Sequence, residues 1–159
     1  VIPGPLPRFF TDRMLGRLTR YPRMAGYDTA EVRGASDREI VERARFEGRR
    51  LLTRDRRLAV QVPEAILLTE IEISRQVLEL HRLCPGLQWK LRPLRCTLCN
   101  GSLARVADSD RDTIMAPERL RRSGEPIWRC RACGQCYWVG SHSARVASDL
   151  ARWTGEGYP

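Results

Sequence analysis

The chain has 159 residues, 42% of them hydrophobic and 30% charged, with a formal net charge of +9. That is enough apolar material for one ordinary domain, or a compact one with a small appended module, and it excludes a disordered chain. No apolar run approaches the ~18 residues of a membrane span and VIPGPLPRFF lacks a signal-peptide pattern, so a cytoplasmic protein with no membrane partner is expected.

In chain order, the first half alternates strand and helix. Arg8–Thr11 reads as a short strand ending at Asp12. Met14, Leu15 and Leu18 mark one face of a helix that Pro22 should end or kink near Tyr21. After Gly26 a second strand is expected around Asp28–Val32. Ser36 and Glu39 have the Ser-x-x-Glu spacing of a capping box, which predicts a helix from Asp37 to about Arg49. A buried strand at Leu51–Thr53 then turns into another helix at Asp55. A strand at 65–68 and a helix from about Glu70 to Arg82 complete the series. Apolar strands alternating with helices imply an α/β fold, a parallel sheet flanked by helices on both faces.

The pattern stops at Cys84-Pro85-Gly86, and a basic connector at 88–95 leads to a second module. The expected division is residues 1–86, then 90–145, then a C-terminal helix and tail at 146–159, with the helix near Ser143–Trp153 packing back.

Five of the six cysteines lie in the second module and define it. Cys96-x-x-Cys99 and Cys130-x-x-Cys133 each offer two thiolates from one tight turn, and together they complete a tetrahedral zinc site. Four cysteines leave no open coordination position, so the Zn2+ is structural. Gly101 and Gly134 follow the pairs, where a metal-binding knuckle takes a residue tolerant of positive φ. Cys136 fits better as the start of a strand, and Cys84 as a buried free thiol.

Asp12, Asp37 and Asp55 fall just after expected strands or at expected helix starts. In an open parallel sheet those positions share the edge where ligands bind. Three carboxylates there suit Mg2+ or Mn2+, ions that activate a water for attack on a phosphodiester. Each also has a purely structural reading: Asp12 and Asp55 as N-caps, Asp37 as a first-turn acid. Asp28 and Glu70 are the candidates for a fourth acid. Of the two histidines, His81 is expected to be exposed and His142 to be packed in a turn.

The positive charge is almost all arginine, Lys90 being the single lysine, and the halves 1–80 and 81–159 carry +3 and +6. Arginine matches phosphate bidentately, which makes RNA or DNA the natural partner. Arg54, Arg56 and Arg57 flank Asp55, and Arg95, Arg119, Arg121, Arg122, Arg129 and Arg131 lie in the ribbon region. Trp128, Tyr137 and Trp138 are candidates for base stacking or for packing the small module.

The ordered set Phe-Thr-Asp12-Arg-Met-Leu-Gly-Arg-Leu, Gly26-Tyr-Asp28-Thr, Ser-Asp37-Arg-Glu-Ile, Gly-Arg-Arg-Leu-Leu-Thr53-Arg-Asp55, Cys96-x-x-Cys99-Asn-Gly, Cys130-x-x-Cys133-Gly and Tyr137-Trp138-Val-Gly-Ser-His142 resembles the Mut-seven C-terminal RNase domain family. The resemblance runs from about Phe9 to Ala144. It implies a PIN-like nuclease fold joined to a zinc ribbon, a metal-dependent ribonuclease with Asp12, Asp37 and Asp55 as the PIN-type acids, and Cys96, Cys99, Cys130 and Cys133 as zinc ligands. It departs at Pro22, where members usually carry an apolar residue, and the fourth acid of many PIN nucleases has no clear counterpart. RNA is the partner it implies. The alternative is a non-catalytic RNA- or ribosome-binding protein, or a component of a larger complex, that keeps the fold without the chemistry.

Overall fold

The computed structural model describes residues 6–156. The first five residues of the 1–86 module and the last three of the C-terminal tail therefore lie outside the described residues. Four parallel strands, β1 (Phe9–Thr11), β2 (Thr29–Glu31), β3 (Arg50–Thr53) and β4 (Ile66–Leu67), form a sheet in the order β2-β1-β3-β4. Phe10 pairs with Ala30 on one side and Leu51 on the other, and Leu52 pairs with Ile66. The helices of this part are α1 (Arg20–Met24), α2 (Asp37–Glu47), α3 (Arg56–Ala59) and α4 (Ile73–Leu83). The expected α/β architecture is the one observed.

Strand alternation sorts the core into two layers. Phe9 and Leu52 join Leu18, Tyr27, Val77 and Leu80 on one face. Phe10 and Leu51 join Ile40, Ala44 and Leu58 on the other. Each such Leu or Phe stabilises the fold by about 1.5–3 kcal/mol through burial.

The second module is an antiparallel sheet of β5 (Leu103–Arg105), β6 (Ile127–Cys130) and β7 (Cys136–Trp138). Between β5 and β6 a 3-10 turn (Asp108–Thr113) and α5 (Glu118–Arg122) cover a small core of Val106, Ile114, Leu120, Ile127 and Cys136, with Trp138 against it. Buried Arg111 ties this insertion together, donating to the carbonyls of Leu120 and Glu125 and pairing with Asp108. A final helix, α6 (Ser141–Thr154), returns to the first module. Its Leu150 enters the Val77–Leu80 cluster and Trp153 meets Tyr21 with ring centroids 5.6 Å apart.

Three local expectations need correction. Residues 13–18 do not extend as an α-helix: a 3-10 turn at Arg13–Leu15 leads through a bend into α1, and Pro22 lies within α1. At the third of α1's five positions Pro22 lacks only an N–H that no intrahelical carbonyl needs, so the short helix runs through it. Helix α4 begins at Ile73 because Glu72 caps it, its carboxylate accepting from the Ser74 and Arg75 amides. Finally, His142 is exposed in the first turn of α6, whereas His81 is half-buried with Nδ1 3.9 Å from Glu156.

Candidate functional site

Two polar constellations emerge from this scaffold. The first lies at the C-terminal edge of the parallel sheet. Asp12 follows β1 and is only 5% exposed. Its Oδ1 accepts from the Met14 amide at 2.8 Å, capping the 3-10 turn, and its Oδ2 accepts a short hydrogen bond from the Thr53 hydroxyl. That hydroxyl also accepts from the Asp55 amide at 2.9 Å. Thr11 and Leu52 are sheet partners, so the next residues, Asp12 and Thr53, are brought side by side by register alone. One buried hydroxyl thus links two of the three aspartates.

Asp55 caps α3, its Oδ1 accepting from the amides of Arg57 at 2.7 Å and Leu58 at 3.2 Å, while its Oδ2 meets no donor among the described residues. Asp37 is the first residue of α2 and exposed, behind a complete capping box between Ser36 and Glu39. Its carboxylate makes no hydrogen bond or ion pair among the described residues. Thr53 alternates with Leu52 and so faces the layer that α2 and α3 cover. The structure therefore brings Asp12 and Asp55 together through Thr53 and puts Asp37 on the same side of the same edge. It does not gather the three carboxylates into one cluster with all donor atoms within 4.8 Å.

Neither candidate for a fourth acid joins them. Asp28 precedes β2 at the opposite edge, where Arg49 grips it at 2.7 and 3.1 Å and Asn100 donates to it at 2.7 Å. Burial pushes its carboxyl up, but these hydrogen bonds and the Arg49 and Arg95 charges outweigh that and hold it well below the ordinary carboxylate range. Glu70 follows β4 and lies 3.8 Å from Arg75.

The second constellation is the cysteine cluster. The sulfurs of Cys96, Cys99, Cys130 and Cys133 all lie within 4.8 Å of one another. Cys96 and Cys133 are 3.6 Å apart, and Cys99 and Cys130 3.5 Å. A tetrahedron with Zn–S bonds of about 2.3 Å spaces its sulfurs by about 3.8 Å, so this donor set fits structural zinc. Burial pushes the Cys96 thiol up, but hydrogen bonds from the Tyr137 hydroxyl and nearby amides prevail and bring it down to about 7. Burial and the neighbouring sulfurs push Cys99 up to about 12. Crowded thiols that resist ionising together are what a divalent cation relieves.

The knuckle glycines play different parts. Gly134 has φ of +78°, as expected. At the other knuckle it is Asn100 that takes the left-handed conformation, at φ 66°. Gly101 is there for space, since a Cβ would come within 2.8 Å of Cys130 Sγ. Cys136 is buried at the start of β7 and stays outside the cluster, and Cys84 is a buried free thiol beside Arg50.

The arginines divide. Arg54, Arg56, Arg57 and Arg131 form no ion pair among the described residues, whereas Arg95, Arg121 and Arg122 pair with Asp28, Asp112 and Glu118. Tyr137 serves the cysteines and Trp138 the small core, while Trp128 belongs to none of the buried clusters. Thr53, Asn100 and Arg23 are not among the expected site residues, and Tyr137, a candidate for base stacking, meets the Cys96 sulfur instead. A polar Thr closing an apolar strand two residues before Asp55 was the one usable signal among them.

No described helix is long and apolar enough to cross a membrane. No curated protein and no solved structure matches the chain. A family model, that of the Mut7-C RNase domain, matches residues 7–150. With a parallel sheet that carries acids at its C-terminal edge and a four-cysteine cluster compatible with zinc, the chain belongs to the Mut7-C RNase domain family, which points to a nuclease-like function.

Proposed function

We propose that the protein is a metal-dependent ribonuclease in which Asp12, Asp37 and Asp55 hold Mg2+ or Mn2+ at the sheet edge. The observation that carries this reading is the Thr53 hydroxyl, which joins Asp12 to the Asp55 backbone in the buried floor of that edge. Asp55 and Asp37 both present carboxylate oxygens free of protein donors, so ligand positions remain open. A bound divalent ion would supply an activated water and neutralise charge at the leaving oxygen, giving a 5′-phosphate and a 3′-hydroxyl. The chain's own residues do the rest. Arg54, Arg56 and Arg57 hold substrate phosphates beside Asp55.

In this reading the sheet module, 1–86, does the chemistry and the ribbon at 90–145 handles RNA. Arg131, like Arg119 and Arg129, is exposed and without an ion pair among the described residues, and so is free to meet phosphate. Arg95, Arg121 and Arg122 must exchange their carboxylate partners to do so. The reduced cytoplasm suits an enzyme whose thiolates bind zinc.

One observation favours a non-catalytic RNA- or ribosome-binding protein instead: both oxygens of Asp12 are already occupied by protein donors. A single assay separates the readings. The zinc-loaded chain, incubated with single-stranded RNA and Mn2+, should cleave, and Asp12→Asn or Asp55→Asn should slow cleavage by about 100-fold or more. Absent cleavage, or cleavage unchanged in both variants, sinks the enzyme.

A further inference from the structure

Strand β2 lies at an open end of the parallel sheet, yet the outward backbone groups of its first residue, Thr29, are not left to water. In a parallel pair alternate residues turn both N–H and C=O toward the neighbouring strand, and the residues between turn theirs outward. Ala30 faces β1 in this way, so Thr29 faces out. Its amide donates to Asn100 Oδ1 at 2.9 Å, and its carbonyl accepts from Arg23 Nε at 2.8 Å. Neither partner is a strand. Asn100 is the residue after Cys99, and its Nδ2 also donates to Asp28 Oδ1. Arg23, only 4% exposed, sends Nη1 to the carbonyls of Thr97 and Leu98, the two residues between Cys96 and Cys99. The first zinc knuckle, from Thr97 to Asn100, together with Arg23, therefore takes the place of a fifth strand beside Thr29 and satisfies the β2 edge at that residue.

Downstream of β2 the chain runs directly to Asp37, six residues beyond Glu31. Asp37 has no side-chain partner of its own among the described residues, so its position is inherited from the backbone that leads to it. We propose that Asn100 and Arg23 are positioning residues, through which the metal-held knuckle fixes β2 and the Asp37 arm of the nuclease edge. The link to Asp37 as a metal ligand rests on the ribonuclease reading above; the clamp on β2 does not. The four cysteines already fit zinc, and a knuckle without metal loses the restraint that holds Asn100 in its left-handed conformation against Thr29.

Amide hydrogen exchange on the full zinc-loaded chain, followed residue by residue, tests this. Asn100→Gly deletes the side chain while keeping a residue at ease with positive φ. It should speed exchange of the Thr29 amide by about tenfold or more, with zinc content unchanged and the Val77 and Leu80 amides as slow as before. Stripping zinc with a chelator should produce the same local acceleration. Asn100→Asp should also loosen Thr29 by setting a second carboxylate against Asp28, and adding Asp28→Asn should restore protection by reversing the hydrogen bond. A structural role limited to the knuckle would not give that rescue. In cleavage assays Asn100→Gly should raise the Mn2+ needed for half-maximal rate and leave the KM for RNA unchanged. Thr29 protection that survives both Asn100→Gly and chelation overturns the clamp, as does acceleration spread equally over α4. A wild type that cleaves no RNA counts against the nuclease reading alone, and the exchange result still decides the clamp.

Discussion

The cysteine cluster and the carboxylate edge are two ways of building a ligand set from one chain. Each Cys-x-x-Cys turn fixes two sulfurs by covalent spacing, so only two turns must meet, and the sulfurs lie at near-tetrahedral separations without further help. The aspartates come from three separate elements, and each is held by what its own element needs: Asp12 and Asp55 by caps, Asp37 by a helix start. The cysteine donor set is thus preformed, whereas the proposed carboxylate site is only pre-positioned, with Asp12 and Asp55 coupled and Asp37 free. Soft ligands on tight turns can repel one another where a metal is a permanent part of the fold. Under the proposed function the acids bind a hard ion only during turnover and must be stable without it, and hydrogen bonds to backbone amides provide that stability for Asp12 and Asp55.

The contrast can be broken most violently at the zinc site. Cys130→Ser should abolish zinc binding and lower the melting temperature by on the order of 10 °C, since metal binding accounts for much of the folding energy of such a module. Cys136→Ser, outside the cluster, should keep full zinc content. Metal analysis beside calorimetry distinguishes the two.

The pH dependence of zinc uptake sharpens the same point. Burial and sulfur neighbours raise Cys99 to about 12 and Cys133 is also raised, whereas Cys96 is brought down to about 7. Above pH 7 zinc must therefore displace at least the Cys99 and Cys133 protons, and below it the Cys96 proton as well. Apparent affinity should climb with pH by at least about 100-fold per unit just above neutrality and more steeply below. Titration against a competing chelator, with proton release followed in two buffers, reads this directly.

On the carboxylate side, Thr53→Val keeps the shape but removes the donor to buried Asp12 and the acceptor for the Asp55 amide. It should cost about 1–3 kcal/mol in stability and at least about tenfold in cleavage rate, and Thr53→Ser should restore both. Denaturant unfolding and initial rates check it. The smallest effect belongs to the arginines: replacing Arg56 or Arg57 by Gln should flatten the slope of log affinity for single-stranded RNA against log salt by about 0.7 each.

Much of this was legible in the amino acids because local rules and tertiary packing agree. The capping box at Ser36–Glu39, the apolar Leu51–Leu52 run and the paired cysteines each specify their own geometry, and the resemblance to the Mut7-C family supplied the order in which to assemble them. Pro22 was misleading because a proline ends a helix or opens one depending on a boundary that tertiary packing decides. Arg23 gave no signal at all: its burial depends on a knuckle more than 70 residues away. Asn100 was hidden beside a glycine that sequence logic credited with the positive φ. Side chains whose partners lie across a module boundary leave no periodic trace.

If Asp12, Asp37 and Asp55 share a divalent ion at the sheet edge, anomalous diffraction from a crystal of the zinc-loaded protein soaked in Mn2+ will locate it. A manganese peak bonded to Asp12 and Asp55 with Asp37 turned toward it, directly or through water, is the predicted result. An edge that stays free of manganese at saturating concentration, with Thr53 still holding Asp12, would contradict it.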